Sequence, residues 1–497
     1  MARRGGSVPQ GRFRRGAPLA GLAARTVCGR VVANVRESAG SAGAVARFDQ
    51  RCAQRYAELL GSSRGVLMKA GQILSMGDTD RWGGGGFEPY LEALGRLQST
   101  VPVMDPVLVA ELLDVQLGAG AGQFAEFAPV PVAAASIGQV HRAVLDDGRQ
   151  VAVKVQYPGV ARAIEDDLAN VELLATFLRV VTAGTAVRAD LDGVARTAGA
   201  RIREEVDYRH EAAMMAVFGE LYRDHPFIRI PQVITEACGD QVLTMTYLDG
   251  MDWAQAQHAD QDLKNTWAEV ILRFAYSNRW LAGLLHADPN PGNYRFFADG
   301  TVGFLDFGCV QVLTETQRSC WFAMIRAVVE GRATELPELM AQAGFLEGDP
   351  RVSADELHQW WAELLHDIIV EPQPVTYTSA HRDRLVAGMF NFRDRNHLLS
   401  RLSVSGVGAV TARIQFNLVS ICAALGATLP VRSIADDMDG VAEPVTVLGR
   451  QHHAWIRARG LAGPSSSPGE IHRKSFIDQP QLTTNLTSTP TEKAENS

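Results

Sequence analysis

Cysteine is sparse and unpatterned in this sequence. The six cysteines (Cys28, Cys52, Cys238, Cys309, Cys320 and Cys422) include no C-x-x-C pair and no zinc-finger spacing. This argues against a disulfide framework and predicts free thiols in a reducing, cytoplasmic setting. No apolar run reaches the roughly 18–20 residues that a bilayer-spanning helix needs. The best candidate, Phe416–Leu429, carries Asn417, Ser420 and Thr428. A secretory apolar region is missing as well, because the early arginines are followed by Gly and Pro. Acidic residues are absent from Met1 to Arg36, where Arg3, Arg4, Arg12, Arg14, Arg15, Arg25, Arg30 and Arg36 all stand. That stretch reads as a disordered basic arm, with contact to an anionic membrane surface as its functional alternative. The net charge of −8 argues against whole-surface binding to nucleic acid.

What is present is ordinary globular composition, 46% hydrophobic and 21% charged, in a chain long enough for one large two-lobed domain with extensions. After the arm, residues 1–42, the pattern turns helical through 43–123. Phe48, Cys52, Tyr56, Leu59 and Leu60 are spaced as on an amphipathic helix. Asp105-Pro106 has the form of an N-cap and first helical residue for a helix running to about Leu117.

From Phe124 the period changes. Val140–Leu145 and Gln150–Gln156 read as strands joined by the turn Asp146-Asp147-Gly148-Arg149. Ile228–Thr235 and Val242–Tyr247 read as another strand pair, within a lobe spanning 124–250. Residues 251–460 read as helical apart from a hairpin at Tyr294–Leu305 turning at Asp299-Gly300. The stretches Leu313–Ala343 and Leu357–Asn396 predict helical core, with Trp321, Trp360 and Trp361 as packing anchors. Residues 461–497, rich in Ser, Pro and Thr, read as a disordered tail.

Three segments carry chemistry. Lys154 lies in the apolar strand Val151-Ala-Val-Lys-Val-Gln156, where an ammonium must reach solvent or an anion. Alone, such a lysine more often faces water; the Val-Ala-x-Lys form after a hairpin favours phosphate binding. Glu211, on a predicted helix after that strand, is a candidate partner for it. The third segment is His286-Ala-Asp-Pro-Asn-Pro-Gly-Asn293, followed by Val302-Gly-Phe-Leu-Asp-Phe-Gly308. Its prolines and glycine predict a rigid loop that fixes polar groups. Phosphoryl transfer needs a carboxylate at the accepting hydroxyl and oxygen ligands for Mg2+. Asp288 suits the first role, and Asn293 and Asp306 suit the second. Either half alone is equally well a structural turn; both together, in order after Lys154, are not.

With these residues the chain resembles the UbiB/AarF family of atypical protein-kinase-like proteins, which includes the mitochondrial coenzyme Q kinases. Ala133-Ala-Ala-Ser-Ile-Gly-Gln-Val-His141 resembles the family's alanine-rich loop. Lys69-Ala-Gly-Gln72 resembles its KxGQ motif, and Glu205-Val-Asp207 its ExD motif. Lys154-Val-Gln-Tyr-Pro-Gly159 continues like the family's lysine strand.

The resemblance implies an α+β, two-lobed kinase-like fold with a mixed small N-lobe, a helical C-lobe and an N-terminal helical KxGQ extension. It implies ATP or ADP with Mg2+ as cofactors. The nucleotide is expected against Ala133, Ala134, Ala135, Ser136, Ile137, Gly138, Gln139, Val140 and Lys154, and against the hinge Met245, Thr246, Tyr247 and Leu248. Lys69, Gly71, Gln72, Glu205 and Asp207 take a regulatory role. Two positions depart from the family pattern: Asn290 stands where His is usual, and Thr246 where Glu is frequent.

The expected activity is that of an atypical kinase or ATPase supporting prenyl-lipid or quinone metabolism, with Asp288, Lys154 and Glu211 as catalytic residues. Expected partners are nucleotide, a prenyl lipid or quinone precursor, and an anionic membrane surface touched peripherally. A nucleotide-binding scaffold without phosphotransfer is the alternative, and a small-molecule phosphotransferase the third reading.

Overall fold

The computed structural model describes Glu37, Phe48, Arg51 and residues 103–118, 123–135, 137–162, 164, 206–345, 352–390, 398 and 406–461. In chain order its elements begin with helix α1 (Pro106–Leu117), strands β1 (Phe124–Phe127), β2 (Ala133–Ala134), β3 (Gly138–Leu145) and β4 (Gln150–Gln156), and helix α2 (Tyr208–Leu221). Strands β5 (Ile228–Arg229) and β6 (Val242–Thr246) precede helices α3 (Trp253–Ala256) and α4 (Gln261–Ala282). Four short strands follow, β7 (Leu284–His286), β8 (Tyr294–Phe296), β9 (Val302–Phe304) and β10 (Val310–Val312). Then come α5 (Glu315–Val329), α6 (Leu336–Gln342), α7 (Ala354–Leu364), α8 (His366–Ile369), β11 (Val375–Thr376) and α9 (Ser379–Phe390). The last elements are α10 (Gly406–Leu425), β12 (Thr428–Leu429), α11 (Val431–Met438) and α12 (Val447–Arg459).

The chain divides into two units: 1–209 with 233–247 and 390–400, and 210–232 with 248–389 and 401–497. The first carries a sheet in the order β1-β3-β4-β6, with β2 added on β3. Alternation sets its faces: Val151, Val153 and Val155 of β4 are fully buried, whereas Ala152 and Lys154 between them are half-buried. The β3–β4 turn forms as expected, with Gly148 at φ +84° and the Asp147 carboxylate accepting from the Arg149 amide at 3.0 Å. Helix α1 also forms as expected. Asp105 caps it by accepting from the Val107 amide, Pro106 opens it, and Val109, Leu112 and Leu113 are buried.

The second unit is helical around α4, whose residues from Trp267 to Phe274 are all buried. The hairpin of β8 and β9 turns through Gly300, at φ +84°. The expected pairing of Ile228–Thr235 with Val242–Tyr247 is corrected. Strand β5 runs parallel to β9, with Ile228 opposite Val302, and only Val233 bridges to Met245. Pro231 has no amide to donate and cuts the run between the two. The expected helix over Leu357–Asn396 is likewise interrupted. Pro372 and Pro374 stop it, and Val375–Thr376 pairs with β12 instead.

Helices α11 and α12 are fastened to α4 by one guanidinium. Arg273, fully buried, donates to Glu269 at 2.8 Å, to both carboxylate oxygens of Asp437 at 2.8 Å, and to Thr446 at 3.1 Å. Beside it, His225 and His452 are buried with their ring nitrogens 2.9 Å apart, against Trp455.

Candidate active site

The first unit holds the alanine turn and the lysine strand. Ala133 lies opposite Val140 and Ala134 opposite Gln139, and the turn closes with reciprocal backbone bonds between Ala135 and Gly138. Gly138 is required by β4: a Cβ there would lie 2.2 Å from the carbonyl oxygen of Val155. Gln139 is buried and ties the turn to the chain before α1. Its amide oxygen accepts from the Met104 amide at 3.0 Å, and its nitrogen lies 2.8 Å from Nε2 of His141. Nδ1 of His141 donates to the Ala128 carbonyl at 2.7 Å, leaving Nε2 as acceptor, and burial holds this imidazole below its usual pKa. No simple pattern in the sequence announces this support.

Lys154 lies opposite Val140 on β3 and Leu243 on β6, so the strand lysine and the alanine turn adjoin on one sheet. Its Nζ stands 5.0 Å from the centre of the Tyr208 ring, three residues before Glu211 on α2. Asp207 immediately precedes that helix, and Gln156 donates to the Val206 carbonyl at 2.6 Å. Met245 and Thr246 end β6, and the amide of Tyr247 bonds the Gln150 carbonyl. Leu248 belongs to the second unit, so the expected hinge is where the chain passes from one unit to the other. Lys69, Gly71, Gln72, Glu205 and Ser136 lie outside the described residues.

The second unit brings Glu211, His286, Asn293 and Asp306 together. Asn293 donates from its side-chain nitrogen to Asp306 Oδ2 at 3.3 Å, and Asp306 Oδ1 accepts from the Gly308 amide at 3.0 Å. Nε2 of His286 donates to the backbone carbonyl of Asp306 at 2.6 Å. Glu211, 1% exposed, has its carboxylate 3.9 Å from where a Cβ on Gly308 would stand. Phe307 packs against Phe218 of α2, with ring centres 4.8 Å apart, and edge-on to His286 at 5.5 Å. The acidic residue, the metal-ligand candidates and the aromatic between them are therefore seated on shared core side chains.

Asn290 serves the loop. Its side-chain oxygen accepts from the Gly292 amide at 3.0 Å and caps the short 3-10 turn Pro291–Asn293. An asparagine makes this Asx turn directly, which accounts physically for the residue found there. Asp288, on the same loop, has a partner that sequence reasoning missed. Nη2 of Arg413, on α10, donates to Asp288 Oδ1 at 2.5 Å. The two residues are 125 positions apart, and no spacing rule connects them.

Residues 96–340 match the ABC1 atypical kinase-like domain. The rat (Rattus norvegicus) protein named atypical kinase COQ8B, mitochondrial, is 30% identical over 359 residues, 71% of this chain and 66% of that one. Saccharomyces cerevisiae atypical kinase COQ8, mitochondrial, is 29% identical over 306 residues, 61% of this chain and 60% of its own. The Arabidopsis thaliana protein ACTIVITY OF BC1 COMPLEX KINASE 1, chloroplastic, is 32% identical over 308 residues, 61% and 44% of the two chains. The match thus spans 44% to 66% of these curated relatives. Among solved structures, a Mycobacterium tuberculosis protein in complex with erythromycin aligns with a TM-score of 0.54 at 30% identity, covering 78% of this chain and 95% of that one. Among the described residues, no helix is long and apolar enough to cross a membrane.

Proposed function

Because the chain belongs to the ABC1 atypical kinase-like family, the UbiB group, we propose that it binds ATP with Mg2+ and transfers or hydrolyses the terminal phosphoryl group. The observation that carries this reading is the convergence, within one unit, of Asn293, Asp306 and Glu211 beside the loop of Asp288. The donor set fits the metal: an amide oxygen and a carboxylate on adjoining residues are hard ligands of the kind Mg2+ takes alongside phosphate oxygens and water. Asn293 and Asp306 would hold the ion, and when bound it supplies neutralisation of the phosphate charge.

The remaining work falls to protein groups. Oδ2 of Asp288 accepts no hydrogen bond among the described residues. It would take the proton from the attacking hydroxyl or water. Lys154 would hold the phosphates and Glu211 would orient Lys154. The turn Ala133–Val140 would lie along the phosphates and Met245–Leu248 along the base. Lys69, Gly71, Gln72, Glu205 and Asp207 would restrain access of a protein acceptor. Action in support of prenyl-lipid or quinone metabolism rests on the relatives' COQ8 names and on the family resemblance.

The test compares wild type with Asp306→Asn and Lys154→Ala, by thermal shift with ATP or ADP, with and without Mg2+, and by phosphate release. A Mg2+-dependent shift with turnover, lost in Asp306→Asn, is the expected result. Binding without turnover, even with anionic lipid present, would favour the nucleotide-switched scaffold. Absence of any shift would defeat the reading.

A further inference from the structure

Nη2 of Arg413 donates to Asp288, and among the described residues its Nε is buried without a hydrogen-bond partner. An orphaned buried N–H opposes folding, so the pair with Asp288 is kept at some cost to stability. The partner it does have is the one carboxylate of the catalytic loop. From His286 to Asn293 that loop contains no Lys or Arg, so the counter-charge must come from elsewhere. Helix α10 supplies it from a fixed position, since Val410, Ile414 and Leu418 are buried and Gln415 accepts from the Tyr276 hydroxyl at 3.3 Å. The pair is sheltered, with side chains 25% and 15% exposed, so it is less screened than a surface ion pair.

We infer that Arg413 is the positioning residue for Asp288: it holds Oδ1, fixes the carboxylate plane and leaves Oδ2 directed to the proton of the acceptor. This rests on the phosphoryl-transfer reading above. Arg413 acts through Asp288, so its removal impairs turnover without impairing nucleotide binding. A fork-shaped guanidinium orients one carboxylate oxygen better than a flexible ammonium, so lysine restores the charge but only part of the geometry.

The experiment measures MgATP turnover and MgATP-induced thermal shift for wild type, Arg413→Met, Arg413→Lys, Asp288→Asn and the double variant Arg413→Met/Asp288→Asn. Expected is a kcat at least about tenfold lower in Arg413→Met with KM for MgATP within about threefold, partial recovery in Arg413→Lys, and a double variant no slower than Asp288→Asn. An undiminished MgATP thermal shift in Arg413→Met shows that the fold survives. If that variant loses the shift, Arg413→Lys carries the test: a loss of kcat at unchanged KM supports the inference, and wild-type kinetics overturn it. Wild-type turnover in Arg413→Met, or a double variant falling further by the full factor of each change, overturns it while leaving the enzyme reading intact. Nucleotide binding with no wild-type turnover defeats the enzyme reading, and this inference with it.

Discussion

Asn293 and Asp306 touch directly: the amide nitrogen of one lies 3.3 Å from Oδ2 of the other. Among the described residues that contact satisfies the amide through its nitrogen, with no bond to its oxygen. Truncating it by Asn293→Ala removes both an oxygen donor and the group that orients the carboxylate. The Mg2+ concentration giving the half-maximal nucleotide-dependent thermal shift should then rise at least about tenfold. A Mg2+ titration that superimposes on wild type would remove Asn293 from the proposed ligand set.

Gly138 is fixed by its neighbour strand. The Cβ of Gly138→Ala would stand 2.2 Å from the Val155 carbonyl oxygen, which belongs to a β ladder and cannot step aside. The expected loss is about 1–3 kcal/mol, as for other overpacked sites. Urea unfolding should show it as a lower midpoint, accompanied by weaker nucleotide binding if the alanine turn is the phosphate contact.

The buried histidine pair gives a pH dependence of known sign. Nδ1 of His225 accepts from the Ile228 amide at 3.1 Å, so its Nε2 carries the proton and donates to His452. Burial pushes the His225 pKa down to about 3 and that of His452 well below the usual value. In the unfolded chain both titrate near about 6.5, so below that pH the unfolded state binds more protons and stability falls on acidification. Asp439 works the other way, because burial raises it to about 6 and its contribution grows as pH drops. The comparison of wild type with His452→Gln isolates the pair. The variant should be less stable at pH 8, with the deficit shrinking by up to roughly 1.4 kcal/mol per pH unit between about pH 6.5 and pH 5. A deficit that does not change with pH would contradict this.

Arg273 makes the strongest stability prediction. With its side chain and that of Asp437 both fully buried, Arg273→Met strands a carboxylate in the core. The expected cost is about 3–5 kcal/mol. The double variant Arg273→Met/Asp437→Leu should recover part of it, because Glu269, which keeps the hydrogen bond from the Thr446 hydroxyl, is then the one carboxylate left without the guanidinium. A similar midpoint for single and double variants in chemical unfolding would refute the account.

What could be read from the sequence was what neighbouring residues decide. Asp105-Pro106 announced a helix start, Asp147-Gly148 a hairpin, and the prolines and glycine between Asp288 and Asn293 a loop that fixes polar groups. Each is a local rule about caps, turns or loops. The features missed are those made by distant residues. Arg413 meets Asp288 across 125 positions, His225 meets His452 across 227, and Arg273 meets Asp437 across 164. Nothing in the composition near Arg413 distinguishes it from a surface arginine. The misread pairing of Ile228–Thr235 had a local clue in Pro231, but its true partner, Val302, is set by tertiary packing.

The Arg273 junction also bears on where a cut can be made. The recognisable kinase-like segment stops at residue 340, but the only carboxylate besides Glu269 that neutralises this guanidinium among the described residues is Asp437. Trp455 and Arg459 further donate to the backbone carbonyls of Arg223 and Glu220, at 3.1 and 2.9 Å. A fragment trimmed to the recognisable segment would therefore leave the Arg273 guanidinium with Glu269 alone, lacking its two bonds to Asp437, and bare the flank of helix α2. For expression and crystallisation, the smallest autonomous piece should be sought with its end beyond Arg459.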